Sequence, residues 1–270
     1  MLIGLSKIVE EIDLNSQSKP FPHILFTGPR GSGKTTLSNY IASKTKSQCI
    51  SVNAPSLDYQ KLQSILLTLS KNTILFVDEI HRLHPKVEEL LYHPMETREL
   101  LLSGMTIKMP QFTLIGATTR PDLITRPLVS RFKIIIQVPR YSVRQLAQMV
   151  KNQFKTFSRR DCIQIARAAS VPREALNLGY RISMLQRDVP TALKFLNYKE
   201  GLSKLERDYM NYVKYESKSV GTLSALLLVP EPSVEDIEER LIHLGLVEIG
   251  SRGRKLTTKG LLAVREAVDD

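Results

Sequence analysis

Gly28-Pro29-Arg30-Gly31-Ser32-Gly33-Lys34-Thr35 is the stretch from which the rest of the chain is read. It follows the short apolar run His23 to Thr27 and precedes a helical pattern, the setting in which G-x-x-x-x-G-K-[ST] holds phosphates. Gly28, Gly31 and Gly33 let the backbone curl until several N–H groups point inward. Lys34 can then neutralise β- and γ-phosphate charge while the Thr35 hydroxyl ligates Mg²⁺. The expectation is a nucleoside triphosphate site with its metal.

Outward from this loop, apolar strand-like runs alternate with helix-length segments, as in a parallel sheet covered by helices. The predicted strands are His23 to Thr27, Cys49 to Asn53, Thr73 to Asp78, Phe112 to Ala117 and Lys133 to Val138. Thr73 to Asp78 ends on Asp78-Glu79. In a P-loop enzyme the first acid belongs to the Mg²⁺ shell and the second polarises the attacking water. Strand tips line the ligand crevice of open α/β sheets, so Thr118 or Thr119, at the end of Phe112 to Thr119, is placed to touch the γ-phosphate or the lytic water. Arg131 sits in Ser130-Arg131-Phe132 before the last strand, where it is expected far from its own P-loop. It is either a surface arginine or a guanidinium supplied to the neighbouring subunit's site.

From Ser142 the strand signals stop. Val143 to Phe154, Asp161 to Ala169, Arg173 to Gln186 and Val189 to Leu196 carry apolar residues at three- and four-residue spacings, which predicts a small helical domain. Helices follow at Leu202 to Tyr215, Gly221 to Leu228 and Ser233 to Leu244, the last with Ser233 as cap and Asp236 three residues on. Two strands, Leu246 to Ile249 and Lys255 to Thr257, are joined through Ser251-Arg252-Gly253-Arg254. Three helices and a basic hairpin make a winged-helix pattern. The expected architecture is α/β, a P-loop parallel-sheet domain over 1–139, a helical lid over 140–201 and a winged helix over 202–270.

Composition narrows the class. At 42% hydrophobic and 24% charged the chain of 270 residues reads as folded, with no apolar run near the ~18 residues a membrane helix needs. No leader pattern opens the sequence, so the expected location is the cytoplasm. Cys49 and Cys162 are the two cysteines and lack metal-ligand spacing, which reads them as small hydrophobes. Lys and Arg number 38 against 27 acids, a formal charge of +11 that suits a polyanionic partner.

Asp78-Glu79-Ile80-His81-Arg82-Leu83, Val87-Glu88-Glu89-Leu90-Leu91-Tyr92, Pro94-Met95-Glu96 and Phe112 through Arg120 together resemble the RuvB family of AAA+ ATPases. The likeness continues through Pro127-Leu128, Arg131-Phe132, Pro172-Arg173, Arg252-Gly253-Arg254 and Thr257-Thr258-Lys259, in the family's order. The resemblance implies that Gly31, Lys34, Thr35 and Thr36 bind ATP phosphates and Mg²⁺ and that Asp78 and Glu79 form Walker B. It further implies that Arg131 is an arginine finger, that Tyr141 and Arg173 touch nucleotide with Arg173 as sensor 2, and that Arg254 and Lys259 contact DNA. It also implies a hexameric ring around duplex DNA. Three departures stand out, one of them a lid abbreviated around Thr156 to Asp161. The family's adenine-holding segment has no counterpart ahead of Ile3-Gly4, and Thr97 to Met109 is shorter than the hairpin that docks RuvA, so neither ordinary adenine recognition nor a RuvA-type partner is implied.

The residues themselves favour the wing over the helix Ser233 to Leu244 for DNA contact. That helix is expected to expose Glu235, Asp236, Glu238 and Glu239, whereas the hairpin presents Arg252, Arg254, Lys255 and Lys259 without an acid among them. Phosphate contacts fix position without reading sequence, which suits a motor moving along DNA. The basic cluster Lys151, Lys155, Arg159 and Arg160 is read as a solvated face, and His81 and His84 as structural. The expected activity is an ATP-dependent motor for branch migration or duplex translocation. The competing expectation is a loader or initiator ATPase that places another protein on DNA without translocating.

Overall fold

The structure is a computed structural model that describes residues 2–16, 21–102, 104–250 and 253–266. The apolar runs of the first half form β1 (Ile24–Thr27), β2 (Gln48–Asn53) and β3 (Thr73–Asp78). Then come the hairpin strands β4 (Glu99–Leu102) and β5 (Met105–Lys108), followed by β6 (Phe112–Thr118) and β7 (Ile134–Gln137). Five of them make one parallel sheet in the order β2-β3-β6-β1-β7. Residues two apart share a face, so Leu25, Leu75, Val77 and Leu114 enter one cluster with Leu62, Leu66, Leu91 and Leu128 from the covering helices. Burying each such leucine contributes roughly 1.5–3 kcal/mol. The opposite face meets the helix Lys34–Thr45, which buries Leu37 and Ile41.

This order places the carboxyl ends of β3, β6 and β1 side by side. Thr27 is in register with Thr118, and Val77 with Gly116. Ligands of open α/β sheets bind outside such ends, here at Thr27, Asp78 and Thr118. Each expected strand of this sheet is present within one residue at either end.

The chain divides into two compact units, residues 1–145 with 171–173, and residues 146–170 with 174–270. The second unit holds the helices Arg159–Arg167, Val189–Phe195, Lys204–Val213, Val220–Leu227 and Glu231–His243, then the antiparallel pair β8 (Val247–Gly250) and β9 (Gly253–Leu256). Tyr209, Leu223, Val234, Leu241, Val247 and Leu256 form its core.

Two features differ from expectation. The helix expected to start after Ser233 starts at Glu231 with Pro230 at the cap position, and Ser233 makes no capping bond. Pro232 explains this, since a proline's fixed φ suits the first turn and its missing N–H would have no helical partner there. Helices at Ser6–Asn15 and Thr258–Glu266 were not anticipated. The shortened Thr97 to Met109 segment is nevertheless a hairpin, with Glu99 opposite Lys108 and Leu102 opposite Met105.

Candidate active site

The phosphate-loop backbone runs through left-handed conformations at Gly28, Gly31 and Gly33, with φ of 145°, 78° and 104°. At Gly28 and Gly31 glycine is required on space as well as on φ. A Cβ on Gly28 would lie 2.9 Å from the Val138 carbonyl oxygen, and one on Gly31 would lie 2.9 Å from the Arg173 Cβ. Lys34 is buried, and its Nζ donates to the carbonyls of Gly28 at 2.8 Å and Pro29 at 2.9 Å, which holds the ammonium inside the curl. The Ser32 hydroxyl is buried without a hydrogen-bond partner among the described residues. Thr35 and Thr36, in the first turn of the following helix, are exposed.

Tyr141 is buried and donates its hydroxyl to the Ser32 carbonyl at 2.8 Å, bracing the loop from behind. Burial pushes its phenol up to about 12. Arg173, exposed in the first turn of the helix Pro172–Leu185, lies against Gly31.

At the end of β3 the Asp78 carboxylate accepts from the Glu79 N–H at 3.1 Å, and Glu79 itself adopts φ 51°. A left-handed non-glycine residue costs about 1 kcal/mol, and such strain collects at functional sites. Glu79 Oε2 accepts from the Thr119 N–H at 3.3 Å and from the Thr119 hydroxyl at 3.0 Å, and lies 3.3 Å from His81 Nδ1. The two β6-tip threonines are thereby separated in role. Thr119 reaches the acid, whereas Thr118 is fully buried, bonded to His81 Nδ1 at 2.9 Å and accepting from the Arg120 N–H at 2.9 Å. Burial lowers the His81 pKa, a shift that Glu79 opposes.

The fit to a triphosphate is direct. The loop offers a cradle that side chains at Gly28 or Gly31 would fill, an orphaned buried hydroxyl at Ser32 and a buried ammonium at Lys34. Thr35 and Asp78 supply one hydroxyl and one carboxylate. Mg²⁺ commonly takes one or two protein oxygens and completes its shell with phosphate oxygens and water.

Arg131 lies away from this cluster. Its guanidinium sits 4.1 Å from the Tyr92 ring centroid, pairs with Glu96 at 3.2 Å and donates to the Pro127 carbonyl at 2.6 Å. Its Nε is buried without a partner among the described residues. Tyr92 in turn donates to the buried Glu88 at 2.6 Å, and the Thr125 hydroxyl donates to the same carboxylate oxygen.

In the wing, Arg252 lies outside the described residues. Glu238, expected on the exposed face of its helix, is buried, because it continues the inward row of Val234 and Leu241. Arg254 is ion-paired to it, and Tyr209 donates to the same carboxylate at 2.8 Å. The hairpin therefore does not present Arg254 free of acids. Lys255 pairs with Glu248 across the strands at 2.9 Å, and Lys259, on the closing helix, donates to the Leu244 carbonyl at 2.7 Å. Lys151, in the other basic cluster, ties the carbonyls of Lys155 and Phe157.

Cys49 is half-buried and Cys162 buried, both as free thiols. Among the described residues no helix is long and apolar enough to cross a membrane.

Residues 4–138 match the family described as the Holliday junction DNA helicase RuvB P-loop domain, and residues 199–265 the RuvB C-terminal winged helix domain. The Holliday junction branch migration complex subunit RuvB of Neorickettsia sennetsu is 34% identical over 96% of this chain and 89% of its own length. The same-named subunit of Wolbachia sp. subsp. Brugia malayi is 36% identical over 91% of this chain and 84% of its own. Among solved structures, the Thermotoga maritima RuvB Holliday junction branch migration motor superposes with a TM-score of 0.87 at 30% identity, covering 97% of this chain and 95% of that one.

Proposed function

The chain belongs to the RuvB family of AAA+ ATPases, and on that premise we propose that it is an ATP-hydrolysing motor that drives branch migration of Holliday junctions as an oligomeric ring. The observation carrying the catalytic half is that the Gly28 N–H bonds the Thr118 carbonyl, which sets the phosphate loop with Lys34 and Ser32 beside the strand end whose Thr119 bonds Glu79. Gly28, Gly31, Gly33, Lys34, Thr35 and Thr36 hold the phosphates of ATP, and Arg173 closes over Gly31. Thr35 and Asp78 would hold Mg²⁺, which would supply positive charge to the departing phosphates. Glu79 polarises water, and Thr119 fixes Glu79. Tyr141 acts through the loop backbone.

Arg131 serves a neighbouring copy as arginine finger. Its contacts with Tyr92, Glu96 and Pro127 hold it at a surface remote from its own loop's hydrogen bonds. A hexamer is the stoichiometry we propose. The functional parts are the ATPase domain 1–139, the lid 140–201 and the winged helix 202–270.

The wing grips the DNA backbone through Lys255 and Lys259, and Arg252 is a third candidate contact. Lys255 is 68% exposed, and its pair with Glu248 is worth less than ~1 kcal/mol, so a phosphate can replace that partner. Arg254 contributes by stiffening the wing against Glu238. The hairpin of β4 and β5 exposes Leu101 on one face and Met105 on the other, apolar side chains suited to an accessory subunit.

The test is migration of a synthetic Holliday junction, with and without a RuvA-type subunit, using Lys34→Ala and Arg131→Ala as controls. Movement that needs ATP and is lost in both variants supports the motor. DNA binding with ATP turnover but no movement under either condition would mean a loader instead.

A further inference from the structure

His81 follows the acid pair by two residues, and nothing in the scheme above uses it. It is not a metal ligand candidate, since among the described residues no three His, Cys, Asp or Glu side chains cluster to hold a metal. Its imidazole is nevertheless 9% exposed, and its Nδ1 faces two groups at once, Glu79 Oε2 at 3.3 Å and the Thr118 hydroxyl at 2.9 Å. We infer that His81 is a positioning residue for hydrolysis, whose Nδ1 ties the Glu79 carboxylate and the Thr118 hydroxyl into one set and so turns Glu79 Oε1 toward the attacking water. This rests on the reading of Glu79 as the water-polarising acid.

Three observations support it. Three groups meet the same oxygen of the Glu79 carboxylate, since the Thr119 N–H, the Thr119 hydroxyl and His81 Nδ1 all approach Oε2. A carboxylate gripped at one oxygen presents the other in a fixed direction, which a general base requires. Next, Glu79 is held in a left-handed conformation that a lone residue would leave, so something beyond the backbone must fix it. Finally, Thr118 does more than fill space. Its carbonyl accepts from the Gly28 N–H at 3.2 Å, and its hydroxyl is hydrogen-bonded to His81 Nδ1 at 2.9 Å, so hydrogen bonds link the first glycine of the phosphate loop to His81, whose Nδ1 lies 3.3 Å from Glu79 Oε2.

Proton placement gives the set its direction. With its proton on Nδ1, the ring donates toward the Glu79 carboxylate and the Thr118 oxygen. With the proton on Nε2, Nδ1 accepts from the Thr118 hydroxyl and turns a lone pair toward the carboxylate, which loosens it. Burial favours the neutral ring in which this choice exists.

The experiment is steady-state ATP hydrolysis by the full chain with Mg²⁺ and duplex DNA, comparing His81→Ala, His81→Asn, His81→Gln and Glu79→Gln, with the thermal midpoint of each. His81→Ala is expected to lower kcat by roughly 10- to 100-fold with KM for ATP little changed, the loss typical of a misplaced catalytic group. His81→Asn, whose carboxamide reaches as far as Nδ1, is expected to restore most of kcat, and His81→Gln, which reaches toward Nε2, is not. Retention of kcat within about twofold in His81→Ala overturns the inference, as does equal loss in the Ala and Asn variants at equal thermal midpoints. Should His81→Ala not fold, Thr118→Val removes the same link and is held to the same expectation. Full turnover in Glu79→Gln would instead overturn the assignment of the acid.

Discussion

The strand-end crevice and the wing are both rich in the residues their chemistry calls for, yet they use them in opposite ways. In the crevice, polar groups are left aimed at a common space, with Ser32 unpaired, Thr35 and Thr36 exposed and Glu79 gripped on one oxygen. In the wing the described cations are turned onto the protein's own groups, Arg254 onto Glu238, Lys255 onto Glu248 and Lys259 onto the Leu244 carbonyl. A motif with a geometric requirement declares its site, whereas charge alone declares only that charge must be satisfied somewhere.

The largest effect expected to sharpen this contrast is in the crevice. Arg131→Ala should lower DNA-stimulated ATP turnover by about 10³-fold or more while nucleotide binding persists, because the finger acts on the transition state. In the wing the expected losses are of stability. Arg254→Ala strands a buried carboxylate at Glu238 and should lower the unfolding free energy of the second unit by about 3–5 kcal/mol, read by denaturant titration. A variant with unchanged stability but weakened DNA binding would break the contrast and make Arg254 a phosphate contact.

That difference also marks how much was legible in the sequence. The sheet is legible to within a residue because its central runs β1, β3 and β6 are mainly apolar and buried, and β3 and β6 end on residues with a task, Asp78 and Thr118. At Glu238 and Arg254 charge alone predicts exposure, whereas the period predicts burial. Val234, Glu238 and Leu241 recur at the spacing of a helix's inward row, and Arg254 shares its strand face with the buried Leu256, two residues on. Both patterns were present to be seen. The Glu79 and His81 contact was not, because it depends on the left-handed turn at Glu79, which no local residue preference signals. Nor could the sequence tell Thr118 from Thr119, since neighbours on a strand point to opposite faces and only the fold says which face meets the acid.

A smaller effect tests the support behind the crevice. His23 precedes β1, accepts from the Leu114 N–H at Nδ1 and meets the Met95 carbonyl through Nε2, and burial lowers its pKa to about 4. Lys133 lowers it further, while the Met95 bond opposes the shift. The unfolded chain therefore binds a proton between the ordinary value of 6.5 and about 4 that the folded chain does not. Stability is intact above pH 6.5 and falls as pH drops toward 4, by up to roughly 3 kcal/mol. His23→Gln should flatten that slope in thermal melts across the window. An unchanged slope would put the acid sensitivity elsewhere.

The smallest effect belongs to the exposed wing. Lys255→Ala should weaken duplex binding about equally across sequences and reduce the salt slope by about one. Loss of sequence preference instead would mean that the wing reads bases.

The central claim is that ATP bound by one copy's phosphate loop is cleaved with another copy's Arg131. It is tested most directly by measuring ATP turnover of Lys34→Ala and Arg131→Ala chains, each alone and after co-assembly on DNA. Each variant alone should be inactive, and the mixture should regain turnover, because an intact loop then meets an intact arginine across a boundary. A mixture as inactive as its parts, or an Arg131→Ala chain that turns over unaided, would contradict the account.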